Sequence, residues 1–434
     1  MTNSLFVGLT VNTCKPEALF PSCDRNSCAG DFGRDRVRTI NLRGECPIPS
    51  TLTSAPVGIV LAQIGTPAAP DAASVRAYLR RFLSDRRIID YSPLLWQPLL
   101  RGIILRTRPR RSARLYRSIW TEAGSPLLIH SEAQRSGLQQ RLGPGYRVVL
   151  GLAYSSPGME EAMAKLEEAG VRRILVMPLF PQYSSTTTAS VYDAACFAAL
   201  GRSGRRSPAA KRFIPALRLA EAYPSDPGYL AAMEASLERT IASLKEEPDF
   251  YLLTFHGIPK RYAESGDPYP GQCELTSRLL AGRMGWEPGR WQLSYQSRFG
   301  PETWLGPSTA ETLAGLPKRG FRRPLVFSPG LVTDCLETLH ELAAEGAEQF
   351  ASGGGDPQAL TVAPCLNDCP EWLDSLADRI RSETLGWIED RVPCEGVAGG
   401  AGLEDAGSGR DRQKLEAGSP GEAAGRPRES GGGG

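Results

Sequence analysis

The sequence predicts an α/β protein in which parallel strands alternate with covering helices across two similar halves. Three observations carry that expectation. Short apolar runs, several of them continuous rather than alternating, recur from residue 57 onward, and a continuous run suits a strand buried on both faces of a parallel sheet. Stretches with helical spacing separate them, which is the βαβ pattern. A chain of 434 residues with 41% hydrophobic side chains has length and core enough for more than one domain.

In chain order, strands are expected at 57–63, 147–152, 173–179, 250–255, 291–296, 324–327 and 360–363, with a weaker one near 213–217. Helices are expected at 71–83, 158–169, 227–245, 334–345 and 371–388. A Pro-bearing break at Leu179-Phe180-Pro181 divides the strands into two groups. No convincing sequence repeat relates the halves, so the division rests on length. We therefore expect an N-terminal α/β domain over 56–180 and a C-terminal α/β domain over 181–370. A helix at 371–390 is expected to pack back on the body. Residues 1–55 mix Cys, Pro, Gly, Ser and charge without periodicity and read as a disordered leader, or as sequence upstream of the true start. Asp24, Asp31 and Asp35 argue against an acidic-poor transit peptide. Residues 391–434 hold almost no large apolar side chain and read as a disordered tail. Residues 201–211 read as a surface loop.

Composition excludes several function classes. Fifty Lys and Arg against 48 Asp and Glu give a net charge of +2, no basis for bulk nucleic-acid binding. No stretch approaches the roughly eighteen apolar residues of a membrane span, and no export signal opens the chain. The ten cysteines are scattered without a C-x-x-C pair, so reduced thiols in a cytosol fit best.

The chemistry-bearing stretches lie where strands end. His256, one of three histidines, stands in Thr254-Phe255-His256-Gly257-Ile258-Pro259, where a buried strand runs out into a turn. Open α/β sheets bind ligands at the carboxyl ends of their strands, and a neutral imidazole takes a proton or holds a metal near pH 7. A lone histidine there is more often a satisfied structural group, so the neighbouring strand ends decide. After 324–327 come Asp334, Glu337 and Glu341, spaced to share one helical face. They read either as a track of oxygen ligands for a divalent cation or as a capping box with a solvated neighbour. After 291–296 comes Tyr295-Gln296-Ser297-Arg298-Phe299-Gly300-Pro301-Glu302-Thr303-Trp304, a wall suited to a flat organic ligand or a loop anchored by Trp304. Beyond 173–179, the hydroxyl residues Thr186, Thr187 and Thr188 are placed to cap a helix beginning near Thr187. The segment 86–117 is apolar, then basic: Leu94-Leu95-Trp96, Ile103-Ile104-Leu105, then arginines 106, 108, 110, 111, 114 and 117. It suits an anionic membrane surface, an apolar pocket for a ligand bearing carboxylates, or an ordinary amphipathic helix pair.

Together these stretches resemble the ferrochelatases, which insert ferrous iron into a porphyrin. The resemblance spans roughly 56–390. Its motifs are Leu61-Ala62-Gln63-Ile64-Gly65-Thr66-Pro67, with Gln63 where Asn is usual, Val75-Arg76-Ala77-Tyr78-Leu79 and Phe82-Leu83-Ser84-Asp85-Arg86-Arg87. Gly124-Ser125-Pro126, the 180–184 stretch, His256-Gly257-Ile258-Pro259, Gly266-Asp267-Pro268-Tyr269-Pro270, the 296–307 loop and the 334–337 segment follow in the family's order. The flavour is closest to proteobacterial members.

The resemblance implies two doubly wound, flavodoxin/Rossmann-like domains with parallel sheets and a chelatase-like cleft between them. It implies protoporphyrin IX as the porphyrin and protohaem as product. The alternatives are coproporphyrin III as substrate, or a tetrapyrrole carrier that no longer catalyses. His256 and Glu337 match the family's site pair, as base and metal ligands facing each other across the cleft. Arg108, Tyr116, Tyr183 and Trp304 are expected to contact the macrocycle, and Asp334 and Glu341 to form an outer acidic path. Ferrous iron is a substrate, and no cofactor is required. Where relatives carry Arg before the Tyr of Gly151-Leu152-Ala153-Tyr154, this chain has Ala153, so that position is assigned no porphyrin or metal role. Some relatives hold a [2Fe–2S] cluster through C-terminal cysteines. Here only Cys394 lies beyond Cys369, so no cluster is expected. The implied location is cytoplasmic, with peripheral contact at the inner membrane through the apolar and basic lip.

Overall fold

The computed structural model of the protein describes residues 55–201, 211–298 and 300–388. The leader, the tail and the loop interior at 202–210 lie outside these residues.

Two four-stranded parallel sheets form, and they repeat one topology. In the first, β1 (Val57–Gln63) lies between β2 (Tyr146–Leu152) and β3 (Arg173–Pro178), with β4 (Ala216–Leu219) beyond β3. In the second, β5 (Phe250–His256) lies between β6 (Trp291–Gln296) and β7 (Pro324–Phe327), with β8 (Thr361–Val362) beyond β7. All seven residues of β1 are buried, as a continuous apolar run demands. The expected strands form, the weak one near 213–217 displaced to Ala216–Leu219. The expected division at residue 180 does not hold, because β4 pairs with β3 at Ile174–Leu217 and Leu175–Arg218 and so belongs to the first sheet.

In each sheet the first strand lies between the second and the third, so the chain crosses first to one side of it and then back over it to the other. That switch point opens a crevice outside the strand's carboxyl end, where such sheets bind ligands. In the second sheet, the crevice lies beyond β5, at His256.

The helices run in chain order. α1 (Ala72–Phe82) starts where the Asp71 carboxylate accepts from the Ala73 and Ser74 amides. α2 (Pro93–Leu99), a π-helical turn Leu100–Ile104 and α3 (Leu105–Ile119) form the lip. α4 (Pro126–Leu142), α5 (Met159–Glu168) and α6 (Thr188–Ala199) complete the first half. α7 (Pro227–Ala242), α8 (Lys260–Glu264), α9 (Tyr269–Arg283) and α10 (Thr309–Gly315) follow. A π-helix, Glu337–Glu345, then runs into α11 (Gly346–Ser352), and α12 (Pro370–Glu383) closes the body.

One hydrophobic core joins the halves. It holds Ile59, Leu150 and Leu175 from the first sheet, Leu253, Phe255 and Phe327 from the second, and Trp372 from α12. Trp372 stacks on Tyr223 and meets Tyr229 edge-on, which anchors α12 beside α7. A separate cluster of Val75, Leu79, Leu83, Trp96, Leu100, Leu105 and Ala113 builds the lip, and the Trp96 indole donates to the Leu83 carbonyl at 2.7 Å. The lip's outer face is apolar and open: Leu94 is 86% exposed and Leu95 78%. Among the described residues, no helix is long and apolar enough to cross a membrane.

Candidate active site

His256 is the last residue of β5, paired in register with Gln296 of β6. Its Nδ1 lies 2.8 Å from the Gly257 carbonyl. A carbonyl only accepts, so Nδ1 carries a proton and Nε2 is the ring nitrogen left to take up or give up one. Gly257 is required by close approach. A Cβ there would stand 2.9 Å from the Gln296 carbonyl oxygen and 3.1 Å from the Trp304 ring. The ring of Trp304 thus lies against the backbone beside His256. Its loop is clipped on by Lys260 N to Thr303 O at 2.9 Å and Leu305 N to Ile258 O at 3.0 Å. The Trp304 indole N–H is buried without a partner, an orphan donor of the kind found at binding sites.

The acids come from the π-helix that follows β7. Glu341 lies within electrostatic reach of both Glu337 and His256, so the three groups share one site. Burial, and then repulsion from Glu337, raises the Glu341 carboxyl above its ordinary value, while a hydrogen bond from Ser297 and the nearby His256 oppose the rise. Ser297 holds φ at 63°, the left-handed region a non-glycine residue rarely adopts. Such outliers, and π-helical segments, concentrate at functional sites.

The lip supplies the facing wall. Tyr116 of α3 and Tyr78 of α1 both lie within electrostatic reach of Glu337. Both residues are half-buried overall, but burial at the phenol oxygen dominates and pushes both hydroxyls up, so they stay protonated. Arg108 interacts electrostatically with Glu341 and Tyr116. Ser118 lies 3.0 Å from His340 Nδ1, a further tie between α3 and the π-helix.

Of the residues expected from sequence, His256, Glu337, Glu341, Tyr116, Arg108 and Trp304 therefore gather. His256 and Glu337 leave adjacent strands of the second sheet rather than opposite domains, and what faces them from the first half is the lip. Asp334 has a different place. It precedes the π-helix and shares no helical face with Glu337. Its carboxylate is buried and accepts from Thr338 Oγ1 at 2.9 Å, Asn367 Nδ2 at 2.7 Å and the Cys365 amide at 3.3 Å. With those bonds it anchors the 364–369 loop, neither capping the helix nor standing open to a cation. Tyr183 sits at the β3 exit, its amide bonded to Gln272 Oε1 at 2.7 Å, and it interacts electrostatically with Arg87 and Tyr192 rather than with the acids. Thr187 stands at the N-cap of α6 without a side-chain cap bond. Instead the Ser184 and Ser185 hydroxyls bind Asp267 at 3.0 and 2.8 Å.

Sequence reasoning missed Tyr78, Ser297 and Cys335 as neighbours of the acids. Tyr78 and Ser297 lay inside quoted motifs, so a signal existed. Cys335, buried, interacts with Glu337 and its thiol is pushed well up by burial. The five cysteines among the described residues are free thiols. Among those residues no three His, Cys, Asp or Glu side chains assemble into a metal cage.

The sequence model of the ferrochelatase family matches residues 56–384. A ferrochelatase of Brucella canis is 42% identical over 361 residues, covering 82% of this chain and 99% of its own length. The ferrochelatase of Brucella ovis is 41% identical over the same shares. Among solved structures, SirB from Bacillus subtilis with Fe3+ aligns with a TM-score of 0.44 at 12% identity, over 76% of this chain and 96% of that one.

Proposed function

The chain belongs to the ferrochelatase family, and on that premise we propose that it inserts ferrous iron into protoporphyrin IX, forming protohaem and releasing two protons. The observation that carries the reading is the His256 imidazole, whose Nδ1 is committed to the Gly257 carbonyl, together with Glu341, which interacts electrostatically with both His256 and Glu337.

The chemistry asks for three things. The planar ring must be gripped and bent, because its nitrogen lone pairs point inward in the ring plane. Trp304 on one side and Tyr116 with the lip on the other are apolar walls for that grip. The two pyrrole protons must leave. His256 Nε2 accepts them one at a time in general-base fashion, passing the first to solvent before it takes the second. The divalent iron must be drawn in against desolvation. The Glu337 and Glu341 carboxylates supply the negative field, and Arg108 moderates it. Asp334 holds the Glu337 segment in place from behind.

The test is absorbance of the purified protein with Fe2+ or Zn2+ and either protoporphyrin IX or coproporphyrin III. His256→Ala is expected to abolish insertion and leave porphyrin binding largely intact. Retained turnover sinks the assignment. Binding without metallation by the wild-type chain would favour the tetrapyrrole carrier, and faster turnover of coproporphyrin III would change the substrate.

We further infer peripheral membrane contact through the lip. Support comes from the exposed Leu94, Leu95 and Ile103 next to a run of arginines.

A further inference from the structure

Beyond the porphyrin walls and the acids, one side-chain network on the described surface has no role in the reaction as set out. It centres on Arg261, in the first turn of α8, five residues after His256. Its guanidinium forks onto both oxygens of Asp90. The same group donates through Nε to Glu302 at 3.1 Å. Glu302 accepts in turn from the Tyr91 hydroxyl. Tyr262 donates to the Ile88 carbonyl at 3.1 Å and reaches Asp90 at 3.2 Å. The Arg261 guanidinium carbon also lies 4.6 Å from the Tyr262 ring centroid and 5.6 Å from that of Tyr91.

These partners belong to three separate parts of the molecule. Ile88, Asp90 and Tyr91 begin the lip. Glu302 is on the loop that carries Trp304. Arg261 and Tyr262 follow the His256 turn. One cation thus ties the lip to both the wall and the base. At its other end the lip meets the acids through Tyr116, Tyr78 and Arg108. The first fastening is ionic and partly solvated, with Arg261 39% exposed and Asp90 41%, whereas the phenol hydroxyls of the second are buried. A partly solvated ion pair of that kind opens at lower cost than contacts made by buried groups.

We propose that Arg261 is a positioning residue for porphyrin entry and release, acting through Asp90 and Glu302 to hold the lip and the Trp304 loop closed over the macrocycle. This rests on the porphyrin-metallating function above. It touches no reacting atom, so it governs how fast the ring enters and leaves, not the insertion step. Arginine is needed because its planar fork meets Asp90 with two donors while a third reaches Glu302, which an ammonium cannot reproduce.

The test uses the full chain with zinc and protoporphyrin IX in rapid mixing, on wild type, Arg261→Met, Arg261→Lys, Asp90→Asn and the Arg261→Met/Asp90→Asn pair. Insertion into prebound porphyrin and release of the zinc product are read separately. Release is expected to rise roughly three- to tenfold in Arg261→Met, the range a partly exposed but multiply bonded ion pair supports. Insertion from the prebound state is expected to stay within about twofold. The double variant should release no faster than the single ones, because both break one network. Arg261→Lys should rescue only partly. Raising salt should speed release from wild type toward the variant and leave the variant unmoved. Unchanged release in Arg261→Met, or a loss of insertion matching any change in release, overturns the proposal. If Arg261→Met fails to fold, Asp90→Asn breaks the network from the other side and decides in its place. A wild-type chain that does not metallate porphyrin at all overturns the functional reading itself, a separate outcome from failure of the strap.

Discussion

Ser297 donates its hydroxyl to the Glu341 carboxylate from a backbone held at φ 63°. The left-handed conformation costs a side-chain-bearing residue about 1–2 kcal/mol, and the bond to a charged acceptor recovers about 1.5–3 kcal/mol. Two substitutions separate these effects. Ser297→Gly frees the backbone but removes the donor, and glycine's extra chain entropy of about 0.5–1 kcal/mol offsets much of the relief. Because the bond is lost as well, its melting temperature should fall below wild type, though by less than that of Ser297→Ala. Ser297→Ala keeps the strain and loses the bond, so it should melt lower. Both should slow metal insertion by roughly tenfold, the loss of about 1.4 kcal/mol of carboxylate orientation. A Ser297→Gly protein that inserts metal at the wild-type rate would show that the bond does nothing for the chemistry.

Glu341 links that bond to pH. Burial and Glu337 raise its carboxyl above the ordinary value. A group raised on folding adds stability fully below its unfolded pKa, and that stability is lost as pH rises through the folded value. Once ionised, Glu341 is therefore a burden on the fold. Glu341→Gln removes it, so the variant should melt above wild type at pH 7.5. The advantage should shrink as pH falls through the acidic range, where wild type becomes neutral too. Thermal melts from pH 4.5 to 8 check the sign, and a gap that widens toward low pH would contradict it.

Asp334 and Asn367 exchange two bonds, Asp334 N to Asn367 Oδ1 at 2.9 Å and Asn367 Nδ2 to Asp334 Oδ2 at 2.7 Å. Asn367 itself holds φ at 49°, which Asn and Asp tolerate better than most residues. Asp334→Asn sets two amide donors against each other and should destabilise the fold by about 2 kcal/mol, the scale of a buried unsatisfied donor. Adding Asn367→Asp restores a donor–acceptor pair and should recover most of the loss. Rescue of both stability and activity by the exchange would separate an anchoring role for Asp334 from a metal-path role. An exchanged protein that is stable but inactive would return Asp334 to the acidic path.

The sheets were legible because a strand buried on both faces needs continuous apolar residues, and β1, β5 and β7 have them. β4 was only half legible: none of its residues is buried, its run is mixed, and its place beside β3 is decided by pairing rather than by sequence. His256 and Trp304 could be placed because Gly and Pro mark where their strands stop. Glu337 and Glu341 could be placed on one face because residues four apart remain neighbours whether the helix is α or π. The π winding itself left no trace, since it changes the hydrogen-bond register and not the apolar pattern. Asp334 was misread because its spacing to Glu337 fits a capping box, while its true partner, Asn367, is supplied by a loop 33 residues later. The same holds for Tyr78: its motif was visible, but its nearness to Glu337 arises only when α1 and α3 pack.

The lip makes a prediction of its own. Leu94 and Leu95 expose most of their surface on a lip whose later segment carries a run of arginines with no acid between them in sequence. Burying a leucine contributes about 1.5–3 kcal/mol, and each basic residue near an anionic surface about 1 kcal/mol. Vesicles containing anionic lipid should bind the protein. Leu94→Glu with Leu95→Glu should weaken that binding by at least about a hundredfold while turnover of porphyrin added in detergent stays intact. Equal binding by the pair variant and wild type in a flotation assay would remove the lip from membrane contact.

Gly257 offers the sharpest separation of base placement from base identity. A methyl group there would stand 2.9 Å from the Gln296 carbonyl oxygen, fixed in the β6 strand, and 3.1 Å from the Trp304 ring. The backbone oxygen cannot yield, because the Gly257 amide donates to it at 2.8 Å. The strain must therefore move either the Gly257 peptide or the Trp304 loop. Moving the peptide shifts the carbonyl that holds His256 Nδ1, and with it the direction of Nε2. Moving the loop opens the porphyrin wall. Either way an unmodified His256 loses its place, and displacements near 1 Å are enough to cost about a hundredfold in rate. Gly257→Ala should thus lower insertion by roughly that factor. The overpacking itself should destabilise the fold by about 1–3 kcal/mol. Weaker porphyrin affinity with the insertion step preserved would mean the loop gives way. Unchanged affinity with insertion lost would mean the peptide does. A variant with wild-type rate and affinity would show that the close packing around His256 has no part in catalysis.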